Sequence, residues 1–557
     1  MNPDVQARLE RLKLTPIDGQ ALKKLVEAGL AWLRANQQLV NSLNVFPVPD
    51  GDTGTNMVLT MQSAYNEIDN LGYREIGQMA AAVSQGALMG ARGNSGVILS
   101  QLWRGFARAL HDHEILNGPA MVHAFAEARD TAYKGVVRPV EGTILTVAKD
   151  AAAAAAVALQ ATNDPCEILA QVVTAADASV QRTPDLLPVL KQAGVVDSGG
   201  KGLYFILEGM LRFVRGESLD TPTAAVQPLS AMNLENTMDS IEPGQDYEVV
   251  VDFVPREALD LPSFYGELEK IGSSIQIGEG EGMYRMHIHV PTDRRYRPID
   301  YVMTLGTITK IAMENLIAQM EGIDHKASGS RIEVASIEPG QIAVVAVSPG
   351  TGISRVFASL GVAAIVEGGQ TMNPSTKDIL DSFENLPTEK VIILPNNRNI
   401  ILAAQQAKDV TVKKICVVPT TSVPEGLAAM MHLNPDGDLD TVAAKMVKAI
   451  EEVTTVEVTT ATRTVEIDGV SVEQGKVIAL VNDKLAVSAA TVEEGCLRAL
   501  AYAHAEDHEL ITLFHGEGLS IAETNRIVDV IRAAYPAQEI ELQDGGQPHY
   551  QFIISIE

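Results

Sequence analysis

Cysteine, aromatic residues and basic charge are all scarce in this 557-residue chain. The three cysteines, Cys166, Cys416 and Cys496, lie far apart without a CxxC pair, which argues against a disulfide framework and predicts a reducing, cytoplasmic location. Lys and Arg number 43 against 71 Asp and Glu, giving a net charge of −28. This charge disfavours binding to nucleic acid or to an anionic membrane surface, and a protein this acidic needs a cation or a local basic spot to handle phosphate.

Long apolar runs are missing as well. No stretch of about 18 strongly apolar residues is present, so no integral membrane segment is expected. The N-terminus is polar and charged and shows no signal peptide. Apolar residues make up 46% of the chain, which fits a globular protein, and its length predicts about three domains.

The spacing of apolar residues divides the chain into four parts. Residues 1–215 have helical spacing and loops with glycine and proline, which predicts an all-α domain. Residues 216–242 lose this periodicity and read as a linker. Residues 243–328 combine strand-like segments with helices, which predicts a small α+β domain. Residues 329–557 alternate apolar strands with helices, which predicts an α/β domain with a parallel sheet whose carboxyl-end loops, such as GGQTMNPST and PNNRN, meet ligands or partners.

The stretch NVFPVPDGDTGTNM places two aspartates in a tight turn before a predicted helix. Their carboxylates can face one point, and carboxylate and amide oxygens suit Mg²⁺. Backbone N–H groups at the helix start favour anions. A metal–nucleotide site is one interpretation, and a solvated turn with an Asp or Thr helix cap is the other. The polar residues concerned are Asn44, Asp50, Asp52, Thr53, Thr55 and Asn56.

Three more loops rich in small and polar residues also precede predicted helices. They are GARGNSG at 90–96, RPVEGTILTV at 138–147 and VVDSGGKGL at 195–203. GARGNSG could wrap a phosphate with backbone amides, or it could be a flexible turn between helices. It is not a P-loop, because the Gly-Lys-Ser/Thr ending is missing. Four such loops in one helical domain indicate a ligand site more strongly than any one of them.

Taken in order, these four loops resemble the nucleotide-binding domain of the dihydroxyacetone kinase type. GGQTMNPST, LPNNRNIILAAQQA, VVPTTSVPEGLAA and GGQPHYQFIISIE, all in the last part of the chain, resemble the catalytic subunits of bacterial fatty acid kinases. The resemblance implies a helical-barrel kinase domain at 1–215, a dimerisation domain at 243–328 and a DegV-like, partner-binding domain at 329–557. It implies that ATP phosphorylates a fatty acid, held by a separate DegV-type binding protein, to an acyl phosphate.

The same resemblance assigns roles to individual residues. It implies ATP and two Mg²⁺ ions as cofactors, with Asn44, Asp50 and Asp52 as catalytic metal ligands. The nucleotide would be bound by Thr53, Thr55, Asn56, Gly93, Asn94, Ser95, Gly142, Thr143, Asp197, Ser198 and Gly199. The first domain shows no obvious apolar sleeve for an acyl chain, which fits delivery by a partner.

The middle domain departs from the family pattern. Family members carry a cysteine in its first strand and a His-x-His later. Here His287 and His289 share one face of a strand, but no cysteine stands near Val250. Two histidines without a third ligand make a poor metal site, so a structural role is the alternative. The missing cysteine leaves open a nucleotide-binding regulator without phosphotransfer, and a kinase for a small ketose such as dihydroxyacetone is the remaining alternative.

Overall fold

The computed structural model describes residues 17–45, 51–136, 138–219, 227–228, 246–256, 259–268, 270–280, 283–315, 332–370, 372–461, 465–467 and 470–557. The chain divides into two compact units. One joins residues 1–219 with 332–557, and the other is residues 220–331. Asp50 and most of the proposed linker lie outside the described residues. Among the helices within these ranges, none is long and apolar enough to cross a bilayer.

The N-terminal part of the first unit is helical, which confirms the prediction. Its helices pack around one core made largely of Ala, Val, Leu, Ile and Met. Several begin at an Asp, Asn or Thr whose side chain accepts a backbone N–H of the first turn, as at Asp18 and Asn117. The helices are α1 Gly19–Ala35, α2 Gln37–Ser42, α3 Thr53–Ile68, α4 Ile76–Met89, α5 Gly93–Ala109, α6 Gly118–Lys134, α7 Ile144–Ala158, α8 Pro165–Leu186, α9 Pro188–Ala193 and α10 Ser198–Arg215.

The second unit holds a five-stranded sheet in the order β1-β3-β4-β2-β5. The strand-like segments YEVVVDFVP and MYRMHIHV form β2 and β4, which pair antiparallel. Phe253, Phe264 and Met286 lie in its core. Its elements are β1 Gln227–Pro228, β2 Tyr247–Pro255, α11 Leu261–Leu268, β3 Ser273–Gly280, β4 Met283–Val290, α12 Arg297–Leu305 and β5 Gly306–Asn315.

The C-terminal part of the first unit begins with a four-stranded parallel sheet in the order β7-β6-β8-β9. The predicted parallel sheet is therefore confirmed. Every residue of the first strand is buried, as expected when helices cover both faces. The elements are β6 Ile342–Ser348, α13 Thr351–Ser359, β7 Ala364–Glu367, α14 Thr376–Glu384, β8 Lys390–Leu394, α15 Ile401–Val410, β9 Lys414–Val417, α16 Val423–Met430 and α17 Leu439–Ala449.

A six-stranded sheet, which the sequence did not predict, follows in the order β14-β13-β10-β17-β15-β16. Its pairs are antiparallel except β15 with β16. A short hairpin of β11 and β12 forms a separate two-stranded sheet. The elements are β10 Thr454–Thr460, β11 Val465–Ile467, β12 Val470–Val472, β13 Val477–Val481, β14 Lys484–Ala489, α18 Val492–Tyr502, β15 Leu510–His515, α19 Ile521–Ala534, β16 Glu539–Asp544 and β17 Tyr550–Ile556.

The two C-terminal sheets are joined where α13 begins. The backbone N–H groups of Gly352 and Ile353 both donate to the carbonyl oxygen of Gly545, at 3.1 Å each. A Cβ on Gly352 would lie 1.9 Å from the carbonyl oxygen of Asp544. Only glycine allows the two backbones to approach this closely. Phe514 of β15 also packs into the core formed by β6 and β8, so the two sheets share apolar contacts.

Candidate functional site

The starts of α3, α5 and α10 lie side by side in the helical part. The Ser198 hydroxyl of α10 donates to Thr53 Oγ1 of α3 at 3.2 Å. At the first residue of α5, a Cβ on Gly93 would lie 2.6 Å from Asn56 Nδ2. Gly93 also has φ +56°, a conformation that other residues adopt only with strain. Three of the four glycine-bearing loops are thus brought together, and their helix N-termini favour an anion there.

The fourth loop joins this group through Asp197. The Asp197 carboxylate accepts the backbone N–H of Gly200 in α10 at 2.7 Å, and it also accepts the N–H of Ile144, the first residue of α7. Thr143 caps α7, and its hydroxyl donates to the carbonyl of Val140. One buried carboxylate therefore holds the starts of α7 and α10 together. The neighbouring glycines, Gly142 with φ +84° and Gly199, lie in the same two loops.

The side chain of Asp52 is buried at the position before α3. Its backbone oxygen accepts the first helical hydrogen bond from Asn56, but its carboxylate does not cap the helix. Asn44, the other described metal-ligand candidate, is only 3% exposed. The third, Asp50, lies outside the described residues. A buried carboxylate and a buried amide supply the kind of oxygen donors that bind Mg²⁺.

Two predicted nucleotide-binding residues have side chains that contact protein groups. The Thr55 hydroxyl accepts hydrogen bonds from Gln37 Nε2 at 3.0 Å and Asn41 Nδ2 at 3.1 Å, so it links α2 to α3. Asn94 Nδ2 donates to Asn399 Oδ1 at 2.9 Å. Ser95, beside it, is half-buried. Nucleotide contacts from this set stay a prediction.

The sequence did not predict that the C-terminal part of the chain contributes to this candidate metal–nucleotide site. Asn373 Nδ2 donates to Asp52 Oδ2 at 2.5 Å, and Arg92 Nη1 donates to the carbonyl of Asn373 at 3.0 Å. Asn373 and Asn399 lie in the loops after β7 and β8, the carboxyl-end loops that the sequence marked for ligands or partners. That signal was present in the sequence, but it did not reveal that the loops meet the chain's own helical part.

Burial raises the pKa of the Asp197 carboxyl to about 7, although the two backbone N–H groups oppose the shift. The folded protein then holds a proton up to about pH 7 that the unfolded chain releases near pH 4. Asp197 thus stabilises the fold most below about pH 4, and this contribution is lost as the pH rises to about 7. Asp197→Asn keeps a helix-capping acceptor but does not titrate. We therefore compare the free energy of unfolding of the wild type with that of Asp197→Asn. Between about pH 4 and pH 7, we expect the wild-type value to fall relative to the variant by at most about 4 kcal/mol.

Urea denaturation of both proteins without nucleotide, from pH 4.5 to 8, measures this difference. Asp164→Asn, at the half-buried N-cap of α8, is the matched control. Parallel stability curves for the wild type and Asp197→Asn would contradict the expectation.

A second group of ligand atoms lies in the middle unit. Glu248 on β2 is opposite His289 on β4, and its carboxylate lies 3.0 Å from His287 Nε2. One ligand atom from each of the three residues lies within 4.8 Å of the others. The expectation of two histidines without a third ligand is therefore wrong, because a glutamate on the neighbouring strand supplies one. Two imidazoles and a carboxylate form a donor set that suits a zinc-like cation.

The helical part also contains a partly open apolar pocket of about 90 Å³. Its lining includes Leu102, Trp103, Phe106 and Phe125. Cavities that take drug-sized ligands measure roughly 300–1,000 Å³. The volume of this pocket lies below that range.

Two protein families match the chain. The DAK2 domain matches residues 47–212, and the FakA-like C-terminal domain of fatty acid kinases matches residues 343–557. Two solved structures have low overall likeness. A dihydroxyacetone kinase from C. freundii in complex with AMP-PNP and Mg²⁺ is 19% identical over 36% of this chain and 35% of its own, with a TM-score of 0.29. The fatty acid kinase B3 protein of Streptococcus pneumoniae, loaded with linoleic acid, is 11% identical over 39% of this chain and 99% of its own, with a TM-score of 0.27.

At these TM-scores neither structure supports a conclusion about fold or function. Relatives in sequence cover far more of the chain. Protein YloV of Bacillus subtilis is 38% identical over 98% of this chain and 100% of its own length. An uncharacterized protein of Staphylococcus saprophyticus is also 38% identical, with the same coverage. The resemblance found in the sequence is confirmed: the chain belongs to the FakA-like family of fatty acid kinase proteins that carry a DAK2 domain.

Proposed function

We propose that the protein uses ATP and Mg²⁺ to phosphorylate the carboxylate of a fatty acid that a separate DegV-type binding protein presents, giving an acyl phosphate. The observation that carries this proposal is the convergence of four helix starts beside the buried carboxylate of Asp52. Helix starts favour phosphate, and a buried carboxylate favours a cation. Family membership supports a kinase acting on fatty acids.

In this proposal Asn44, Asp50 and Asp52 hold the metal, with two ions as the expected number. Mg²⁺ neutralises phosphate charge and aligns the reacting oxygens when it is bound. The starts of α3, α5 and α10 bind the phosphates through backbone N–H groups, and the α7 and α10 loops line the nucleoside end.

The bond changes need little chemical help from the protein. An oxygen of the fatty acid carboxylate attacks the γ-phosphorus, the bond from that phosphorus to the β–γ bridging oxygen breaks, and ADP leaves with the electron pair. The carboxylate is already ionised near neutral pH, so no proton has to be removed. Positioning and charge neutralisation therefore account for most of the rate.

The other parts of the chain have separate roles in the proposal. Residues 329–557 recruit the fatty-acid-binding protein, and residues 243–328 form a homodimer.

The direct test is trapping of the product. Purified protein, Mg-ATP and fatty-acid-loaded carrier are incubated with hydroxylamine, and the acyl hydroxamate is measured against reactions without carrier or without ATP. We expect hydroxamate only when all components are present. ATP binding without any hydroxamate would favour the nucleotide-binding regulator instead, and phosphorylation of added dihydroxyacetone would favour the small-ketose kinase.

A further inference from the structure

The C-terminal part of the chain reaches the proposed nucleotide site through one asparagine. Asn373 lies in the loop between β7 and α14 and is only 2% exposed. Its Nδ2 donates to Asp52 Oδ2 at 2.5 Å, a contact between residues 321 positions apart in sequence. A charge-assisted hydrogen bond of this kind fixes the orientation of a carboxylate.

The oxygen of the same side-chain amide, Asn373 Oδ1, is buried, and no hydrogen-bond partner for it is found among the described residues. Turning the amide over would not solve this, because it would place an oxygen against the Asp52 carboxylate. A buried polar oxygen without a partner is rare in native proteins and calls for a ligand, ion or water. Here it lies on the residue bonded to a proposed metal ligand.

The loop that carries Asn373 is held against the GARGNSG loop. Arg92 donates to the Asn373 carbonyl and forms an ion pair with Asp378 at 3.4 Å. The backbone N–H of Thr376 donates to the carbonyl of Ala91 at 3.1 Å. Asn373 is therefore fixed by its neighbours on both sides.

Beneath these loops the two parts share a buried interface. Ala91 and Val97 of the helical part pack into the core on one face of the parallel sheet. Gln406 Nε2 of α15 donates to Ser100 Oγ at 2.8 Å, and its Oε1 accepts from Thr376 Oγ1 at 3.1 Å. Apolar contacts and a satisfied polar network together make the position of Asn373 a fixed property of the unit.

We propose that Asn373 is a positioning residue that completes the metal–nucleotide site: it orients the Asp52 carboxylate and offers its own Oδ1 to the bound cation or to a water in its hydration shell. This inference rests on the proposed function of the site. The kinase site is then built from both ends of the chain, and the helical domain alone lacks one of its parts. Loss of a side chain that orients a metal ligand typically weakens metal binding by 10–100-fold.

The test measures binding rather than turnover. Mn²⁺ replaces Mg²⁺ as a spectroscopic probe, and its affinity in the presence of ATP is followed by electron paramagnetic resonance for the full-length wild type, Asn373→Ala and Asn373→Asp. Thr388→Val is the matched control, because it removes a buried hydroxyl bonded to the Gln341 carbonyl before β8, at the opposite end of the sheet.

We expect Asn373→Ala to raise the dissociation constant for Mn²⁺ by about 10–100-fold, with Thr388→Val unchanged. Asn373→Asp cannot donate to Asp52, but it retains an oxygen ligand and adds a negative charge beside the cation, so it should bind Mn²⁺ at least as tightly as the wild type. A purely structural role predicts the opposite for Asn373→Asp, because two carboxylates would then face each other in the protein without metal.

Several results would overturn the inference. If Asn373→Ala binds Mn²⁺ as tightly as the wild type, Asn373 has no role in metal binding. If the variant binds Mn²⁺ more tightly, the C-terminal loop blocks the site. Equal losses in Asn373→Ala and Thr388→Val would indicate general destabilisation. Failure of the wild type to bind Mn²⁺ with ATP would overturn the proposed function too, whereas wild-type binding unaffected by Asn373→Ala would leave that function standing.

Discussion

Asp52→Asn is expected to lower phosphoryl transfer by roughly 10³-fold or more while the protein still folds. The substitution preserves the size of the side chain and its ability to accept a hydrogen bond from Asn373, but it removes the negative charge that holds the cation. Asn is also a favourable residue at a helix N-cap, so α3 should begin normally. Hydroxamate formation with loaded carrier measures the turnover, and a thermal melt followed by circular dichroism measures the fold.

The matched control is Asp69→Asn, because Asp69 is an exposed aspartate at the other end of the same helix. We expect Asp69→Asn to keep wild-type turnover and a nearly unchanged melting temperature. Wild-type turnover in Asp52→Asn would contradict the assignment of Asp52 as a metal ligand. An equal loss in both variants would show that α3 tolerates no charge change, and Asp52 would have no special role.

Gly352→Ala is expected to lower the free energy of unfolding by about 3 kcal/mol or more. The added Cβ would lie 1.9 Å from the carbonyl oxygen of Asp544 and 3.0 Å from the carbonyl carbon of Gly545. Both are backbone atoms, so no side chain can turn aside to relieve the overlap. The joint between the two C-terminal sheets must open instead, which also disturbs the hydrogen bonds to the Gly545 carbonyl.

Guanidinium denaturation, followed by tryptophan fluorescence and circular dichroism, measures this loss. Gly518→Ala is the control, since a Cβ there meets no atom within 4 Å. Its expected effect is within about 0.5 kcal/mol. A stability near wild type for Gly352→Ala would mean that the two backbones separate at little cost.

The helical part and its loops could be predicted because their signals are local. Apolar spacing identifies amphipathic helices, and glycine with Asp, Asn or Thr marks their starts. The continuous apolar strands likewise predicted the parallel sheet. The loops that contain Gly93 and Asp197 were selected on such patterns, and the structure places both residues among the converging helix starts.

Contacts between distant segments could not be predicted in this way. Nothing near Asn373 in the sequence shows that it meets Asp52, because the contact depends on how the sheet packs against α5. Glu248 was missed because its pairing with His289 depends on strand register. The six-stranded sheet was missed for the same reason, since its order places β10 beside β17, near the other end of the C-terminal part.

The bond between Asp52 and Asn373 has a consequence for how the site assembles. Residues 220–331 form a separate unit between the two segments that contribute to the first unit. This unit therefore acts as a tether, and the meeting of the two segments is an intramolecular event governed by effective concentration. The interface, which among the described residues includes several hydrogen bonds and the apolar side chains of Ala91 and Val97, therefore forms without dependence on protein concentration.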